Sequence, residues 1–523
     1  MSLFSFLDYD RTVAKPGFSR WLVPPAALAV HLSIGEVYAF SVFKIPLTQV
    51  IGVSHHVKGQ DWEQQQLAWI FSIAIAFLGI SAAVFGAWLE RVGPRRAMFT
   101  SALCFAGGFL ISSLGVHLHQ LWMLYLGYGV IGGIGLGLGY ISPVSTLIKW
   151  FIDRPGMATG LAIMGFGGGA MIGGPLAVEL MRHFRSDTSA GVSETMLVMG
   201  IAYFCFMMIG AFLIRVPPKD WRPAGYTPKP SASGMITTNN LDATTALRTP
   251  QFWLLWLVLC MNVTAGIGIL EQASPMIQEM FRGRVTEVAA GGFVGLLSIF
   301  NMAGRFGWSS ASDAIGRKST YMIFFMLGAV LYVFLPHTGK SGLNNLPLFV
   351  ITAAIVISMY GGGFATIPAY LRDMFGTANV SAIHGRLLTA WSVAGVAGPV
   401  LVNYMRKYQL EHGVAPTNAY SFVLYVMAGL LVIGFISNLL VRPVNAKYFD
   451  MSKSKLASAA PHGMSQSLPG MEQSMTAKEM EQRTHLPGVQ YDNRETKRND
   501  DTSARDYVDD RDRSHRLGRD TNR

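Results

Sequence analysis

Apolar runs of about 20 residues, the length a helix needs to cross the hydrocarbon core of a bilayer, recur along this chain up to residue 442. In lipid, every backbone amide must be satisfied within its own segment or by a closed sheet, so runs of this length become helices. Twelve spans can be drawn, at 20–50, 65–89, 96–116, 121–149, 154–182, 194–215, 250–280, 287–311, 317–337, 346–373, 380–406 and 418–442. Only 14% of the 523 residues are charged and 51% are hydrophobic, whereas a soluble chain is about a quarter charged. The expected class is therefore an all-α membrane protein. The first run is too long for a cleaved signal sequence and is read as the first span.

The net charge of +11 does not point to nucleic acid. The basic residues sit in short loops between apolar runs, where they set topology. Arg91, Arg95 and Arg96, then Lys149 and Arg154, then Arg317 and Lys318 all fall on one side, with both chain ends. That side is expected to be cytoplasmic, in a cell's inner (cytoplasmic) membrane. Residues 216–249 form a polar, proline- and serine-rich stretch that reads as a cytoplasmic linker. It separates a first six-helix half (1–215) from a second (250–442). Residues 443–523 are read as a disordered cytoplasmic tail, since 451–523 hold few apolar residues and nearly balanced charges. Cys104, Cys205 and Cys260 lie in apolar runs without metal-site spacing. No metal and no cofactor is expected.

The halves repeat at an offset of about 224 residues: Glu90 and Gly93 correspond to Asp313 and Gly316, and Gly174-Pro175 to Gly398-Pro399. Two tandem sets of six spans have the same orientation. Parallel repeats of this kind are related by an axis along the membrane normal, with a substrate site between them near the midplane.

The stretch SIFNMAGRFGWSSASDAIGRK at 298–318 carries the chemistry. Asn301 and Arg305 lie one above the other on a helix face, and Ser298 extends the stripe. A guanidinium in a span costs about 2.5–3.5 kcal/mol on insertion scales, so it normally faces a cavity or a partner. A permanent, forked cation beside an amide suits a small carboxylate. Tyr140 and Tyr360, at comparable depth in the two halves, are candidates to donate a hydroxyl to the same anion. Glu36 is the proton-coupling candidate, because an acid within a span is a functional hypothesis by default. Lys44 snorkels, and His31 reads as structural. The glycine-dense runs at 132–139 and 165–175 lack a preceding strand and lie within spans, so they read as close helix packing and not as phosphate loops. No HExxH, GxSxG or phosphate loop is present, so no enzyme is expected.

GAWLERVGPRR at 86–96, with Gly86, Glu90, Arg91 and Gly93, resembles the loop signature of the major facilitator superfamily. The second copy, with Asp313, Gly316 and Arg317, has Ser309 in place of its first glycine and Ala314 in place of a basic residue. The acid is expected to cap the start of the following helix and to pair with basic side chains, as part of a gate. YAFSVFKIPL, RPGMATGLAIMGFGGGA, NMAGRFGWSSASDAIGRK and HGRLLTAWSVAGVAGP are similar to the oxalate/formate antiporter family, a facilitator branch near the monocarboxylate transporters. The resemblance implies the twelve-helix facilitator fold and anion binding at Arg305. It puts Trp391 where the dicarboxylate-carrying member has a lysine. One fixed cation in place of two favours a monoanion over oxalate. The expectation is a monomeric secondary transporter of small monocarboxylates such as formate, lactate or pyruvate, with protons as a possible co-substrate. The alternatives are a dicarboxylate exchanger or a facilitator for another solute such as a drug.

Overall fold

The computed structural model describes residues 5–53, 55–226, 235–339 and 345–459. Among these, twelve helices are long and apolar enough to cross a membrane. We number them α1 (Arg20–Ala39), α2 (Gln66–Val92), α3 (Pro94–His117), α4 (Leu121–Trp150), α5 (Pro155–Phe184), α6 (Val192–Leu213), α7 (Pro250–Leu270), α8 (Ala289–Ile315), α9 (Arg317–Thr338), α10 (Leu346–Phe375), α11 (Val380–Glu411) and α12 (Pro416–Leu440). No strand occurs among the described residues; an isolated parallel bridge joins Val13 to Val216.

Local chemistry marks the helix ends. Pro94, Pro155 and Pro250 open α3, α5 and α7 at positions where a missing N–H costs nothing. Thr249, Thr286 and Asn345 accept from the backbone N–H three residues on. Gly93 and Gly316 hold the tight turns α2–α3 and α8–α9 at φ 85° and 87°, where a side chain would be strained. The outer faces are apolar in helical register, for example Leu103, Leu110 and Leu114 on α3 and Ile433, Ile436 and Leu440 on α12, all exposed. Faces of that kind match lipid and not water.

Two spans are less regular than their apolar runs suggest. The 20–50 run is α-helical over Val23–Ile34, tightens to 3-10 geometry over Gly35–Ala39, and resumes as Ser41–Leu47. The change coincides with a backbone contact: a Cβ on Gly35 would lie 2.3 Å from the Phe166 carbonyl oxygen. Within α4, Tyr125–Gly132 is π-helical, a geometry frequent at functional sites.

The tail reading needs one correction. Ala446–Ala459, assigned from composition to a disordered tail, is helical. Phe449 and Ser452 are buried, and the Ser452 hydroxyl oxygen accepts from the backbone N–H of Asp242. Tertiary contact supplies what a weakly apolar sequence does not. Residues 460–523 lie outside the described residues. The linker's latter part is docked as well: Thr237 and Leu241 donate to the carbonyls of Asp373 and Phe375 beneath α10.

The halves meet along α2 against α11 and α5 against α8 and α10. Small residues allow the approach. A Cβ on Gly79 or Gly86 would fall 2.0 Å from Ser392 Oγ or 2.8 Å from the Ser381 carbonyl, and one on Gly156 or Gly160 would meet Ser309 at 2.2 Å. Ser309, the departure from the loop signature, thus faces glycines across the seam, while its hydroxyl bonds the Arg305 carbonyl.

Candidate functional site

Arg305 on α8 is fully buried at this seam. Its Nε donates to Asn301 Oδ1 at 3.0 Å, the i, i+4 partner expected from the helix face. Its Nη1 reaches across the seam to the Ile163 carbonyl of α5 at 3.4 Å. Its Nη2 has no hydrogen-bond partner. Phe166 of α5 and Phe364 of α10 flank the guanidinium, 5.6 and 5.3 Å from their ring centroids, close enough for cation–π attraction.

The aromatic surround continues. Trp391 of α11 lies 4.4 Å from Phe364, 5.4 Å from Phe166 and 5.3 Å from Tyr140 of α4, centroid to centroid. Trp391 Nε1 and Tyr140 Oη are buried and without partners. The Tyr360 hydroxyl of α10 lies 3.3 Å from that of Tyr38 on α1. The structure therefore brings Arg305, Asn301, Tyr140, Tyr360 and Trp391 into one cluster drawn from both halves. Buried donors left unpaired are costly, and three of them here (Arg305 Nη2, Trp391 Nε1 and Tyr140 Oη) belong to that one cluster.

Tyr38 was not singled out from sequence. It bonds Tyr360, its hydroxyl interacts with the Arg305 guanidinium, and its ring lies 5.1 Å from Phe166 and 6.5 Å from Trp391. The available signal was its place two helical turns beyond His31, on the same face of α1.

Glu36 goes elsewhere. It is fully buried, accepts from Tyr128 Oη at 3.1 Å, and leaves Oε1 unpartnered. A Cβ on Gly173 would touch both its Cγ and Tyr203 Oη, so Glu36 lies in the interior of the first half among α4, α5 and α6. It is not part of the Arg305 cluster.

The residues of the two loop signatures form two reciprocal latches at the end bearing the basic loops. Glu90, at the end of α2, accepts from the backbone N–H of Ser381 at the start of α11 (3.1 Å) and from Lys149 Nζ (2.7 Å). Asp313, at the end of α8, accepts from the N–H groups of Gly156 and Met157 at the start of α5 (2.9 and 2.8 Å) and pairs with Arg317. Each acid was expected to cap the helix that follows it. Each instead caps a helix of the opposite half, because the turn at Gly93 or Gly316 sends its own next helix away while the facing N-terminus comes within reach. Pairing with basic side chains occurs as expected. Gly86 packs on α11, and Arg91 is exposed. Arg317 also binds Asp373 at 3.1 Å, and Arg372 crosses the seam to the Ile152 carbonyl at 3.0 Å. Farther along the seam Ser392 donates to the carbonyls of Ile75 and Ala76.

Two six-helix halves, latched at one end and holding a buried cation with unmet hydrogen-bonding capacity between them, have the architecture of a membrane carrier. The Major Facilitator Superfamily profile matches residues 18–399, and the chain belongs to that family. It is 26% identical over 385 residues to the oxalate:formate antiporter of Oxalobacter formigenes, covering 73% of this chain and 83% of that one. It is 24% identical over 372 residues to apicoplast pyruvate carrier 1 of Toxoplasma gondii, covering 61% and 65%. In structure it is similar to the fucose:proton symporter of Escherichia coli, with a TM-score of 0.57 at 12% identity over 80% of this chain and 98% of that one. This likeness is one of fold.

Proposed function

We propose that this transporter carries small monocarboxylates, such as formate, lactate or pyruvate, by alternating access, with Arg305 binding the carboxylate. The observation that carries the reading is Arg305 Nη2: a permanently charged, fully buried donor without a partner, at the seam between the halves. A carboxylate would satisfy it and neutralise the charge. Asn301, bound to Nε, holds the guanidinium plane, and Tyr140, Tyr360 and Trp391 surround a short apolar chain. The names of the two sequence relatives, one an oxalate:formate antiporter and one a pyruvate carrier, support an anionic substrate.

The decisive experiment is uptake of labelled formate, lactate, pyruvate and oxalate into proteoliposomes, with and without a pH gradient. Faster uptake of the monoanions is expected. If oxalate outruns all three, the single-cation argument is wrong and the dicarboxylate exchanger replaces it.

The basic loops place the latched end in the cytoplasm on this reading, so the state described is closed to the cytoplasm. Both termini are then cytoplasmic, in a bacterial-type inner membrane. A reporter fused after Arg442 and active only on the outer face would overturn that orientation. One chain carries both halves of the site, so the working unit is a monomer.

Glu36 is the second candidate for a role, as carrier of a coupled proton. The observation in its favour is the buried, unpartnered Oε1. On that reading Glu36→Gln loses acid-driven accumulation and keeps exchange.

A further inference from the structure

His31 was read from sequence as structural, and its surroundings do not fit that role. It is fully buried on α1, and neither ring nitrogen makes a hydrogen bond. A structural histidine in such a place normally satisfies at least one nitrogen. Backbone groups of Tyr140, Ala27 and Ala162 approach the ring without reaching hydrogen-bond geometry, and Arg305 is the charged group that acts on it electrostatically. Its ring meets Tyr140 edge-on, centroids 5.5 Å apart. Through Tyr140 it adjoins Trp391 and the Arg305 cluster. His31 is thus a titratable ring on the wall of the anion site, with carbonyl oxygens at hand to accept from both nitrogens after a small shift.

The groups around it are few. From α4 comes Tyr140; Tyr128 of α4 and Tyr203 of α6 face Glu36 instead. From α5 come Ala162 and Gly165, neither of which titrates. From α8 comes Arg305, and beyond Tyr140 comes His384 of α11, centroids 5.9 Å from that tyrosine. On α1 itself, Tyr38 shares the face, and Arg20 at the basic end is paired with Asp153 at 2.6 Å. Arg305 and Asn301 cannot exchange protons near neutrality. A proton thermodynamically linked to the anion therefore has the His31 imidazole as an acceptor on the wall of the site, and a bound carboxylate would offset the Arg305 charge that disfavours its protonated form.

Resting on the monocarboxylate reading above, we propose that His31 is the coupling site of this carrier: it takes up a proton as the anion binds at Arg305 and gives it back as the anion leaves. Without the anion, an imidazolium and a guanidinium would stand together in a dry site, which is unfavourable. With the anion between them the charges are compensated, so each ligand favours the other by the same factor. The proton comes from water on the open side, resides on an imidazole nitrogen, and returns to water on the other side. No other bond changes.

The test is calorimetric pyruvate binding to the purified full chain between about pH 5 and pH 8. Pyruvate stays ionised throughout that range, so any pH dependence reports on the protein. Buffers of different ionisation enthalpy give the proton count. In the wild type, affinity should rise by about tenfold or more toward acid pH, with net proton uptake on binding. His31→Gln, and His31→Asn as a second variant, should bind pyruvate with a flat profile and no uptake, while His384→Gln should keep both, and so should Glu36→Gln, which would lose both if Glu36 and not His31 were the proton carrier. Wild-type binding without proton uptake overturns the inference whether or not the variants fold, and so does a His31 variant that keeps the slope, or a slope lost in Glu36→Gln or His384→Gln instead. Failure of the wild type to bind pyruvate, lactate or formate at any pH is a different result. It overturns the monocarboxylate reading itself, and the inference with it.

Discussion

Among the described residues, Glu36 and Arg305 are the two charged side chains within spans that have no exposure at all, and they are placed in opposite ways. Both are fully buried. Glu36 turns into its own half, where Tyr128 of the same half is its donor. Arg305 turns outward, toward the Ile163 carbonyl and Phe166 of the opposite half. When two halves rock as rigid bodies, a group inside one half keeps its neighbours, while a group at the seam has its surroundings remade in each state. A carrier must hold its substrate and then release it on either side, so the substrate charge belongs at the seam.

The strongest test of this contrast is Arg305→Ala. It removes the fixed cation of the site and should abolish both transport and pyruvate-induced thermal stabilisation in a protein that still folds. Arg305→Lys keeps the charge and loses the fork. Hydrogen bonds to charged groups are worth about 1.5–3 kcal/mol, so affinity should fall by about tenfold or more with some transport left. If Arg305→Ala binds pyruvate as tightly as the wild type, the seam is not the anion site.

Trp391→Lys adds a second cation to the same cluster. Relative uptake of oxalate over lactate should rise by about tenfold, within the usual worth of one charge-assisted bond. An unchanged ratio would separate Trp391 from substrate selection.

The latches permit a finer comparison, since Asp313 holds two backbone N–H groups of the opposite half and Glu90 holds one. An acid at a helix N-terminus is worth about 0.3–1 kcal/mol, up to about 2 when partly buried. Asp313→Asn should therefore open the latched end more than Glu90→Gln, read as alkylation of a cysteine replacing the buried Ser381 in each background. The reverse order would mean that the Lys149 pair, and not the helix cap, closes the gate.

The smallest effect expected is that of Glu36→Gln on the anion itself. The amide oxygen can still accept from Tyr128, so equilibrium pyruvate affinity at neutral pH should stay within about twofold, a change below 1 kcal/mol. A larger loss would place Glu36 in contact with the site after all.

The sequence by itself determined the twelve spans and the family, because bilayer thickness imposes a segment length and repeated loops carry a signature. It also singled out Arg305, Asn301 and the two tyrosines, since a polar stripe in an apolar helix is conspicuous and i, i+4 spacing predicts the Arg305–Asn301 bond. It did not single out Tyr38, which has no charge to mark it. Nor did it tell the two faces of α1 apart, on which Glu36 looks inward and His31 looks toward the seam. Helical periodicity says which residues share a face, but not which neighbour that face meets. The same limit explains the latches: Glu90 and Asp313 were legible as capping acids, yet the helices they cap are about 150 or more residues away in the chain. Only the docking of the halves brings those N-termini within hydrogen-bond distance. Spacing along one helix is a local property written in the sequence, whereas what lies across a seam is decided by the packing of all twelve.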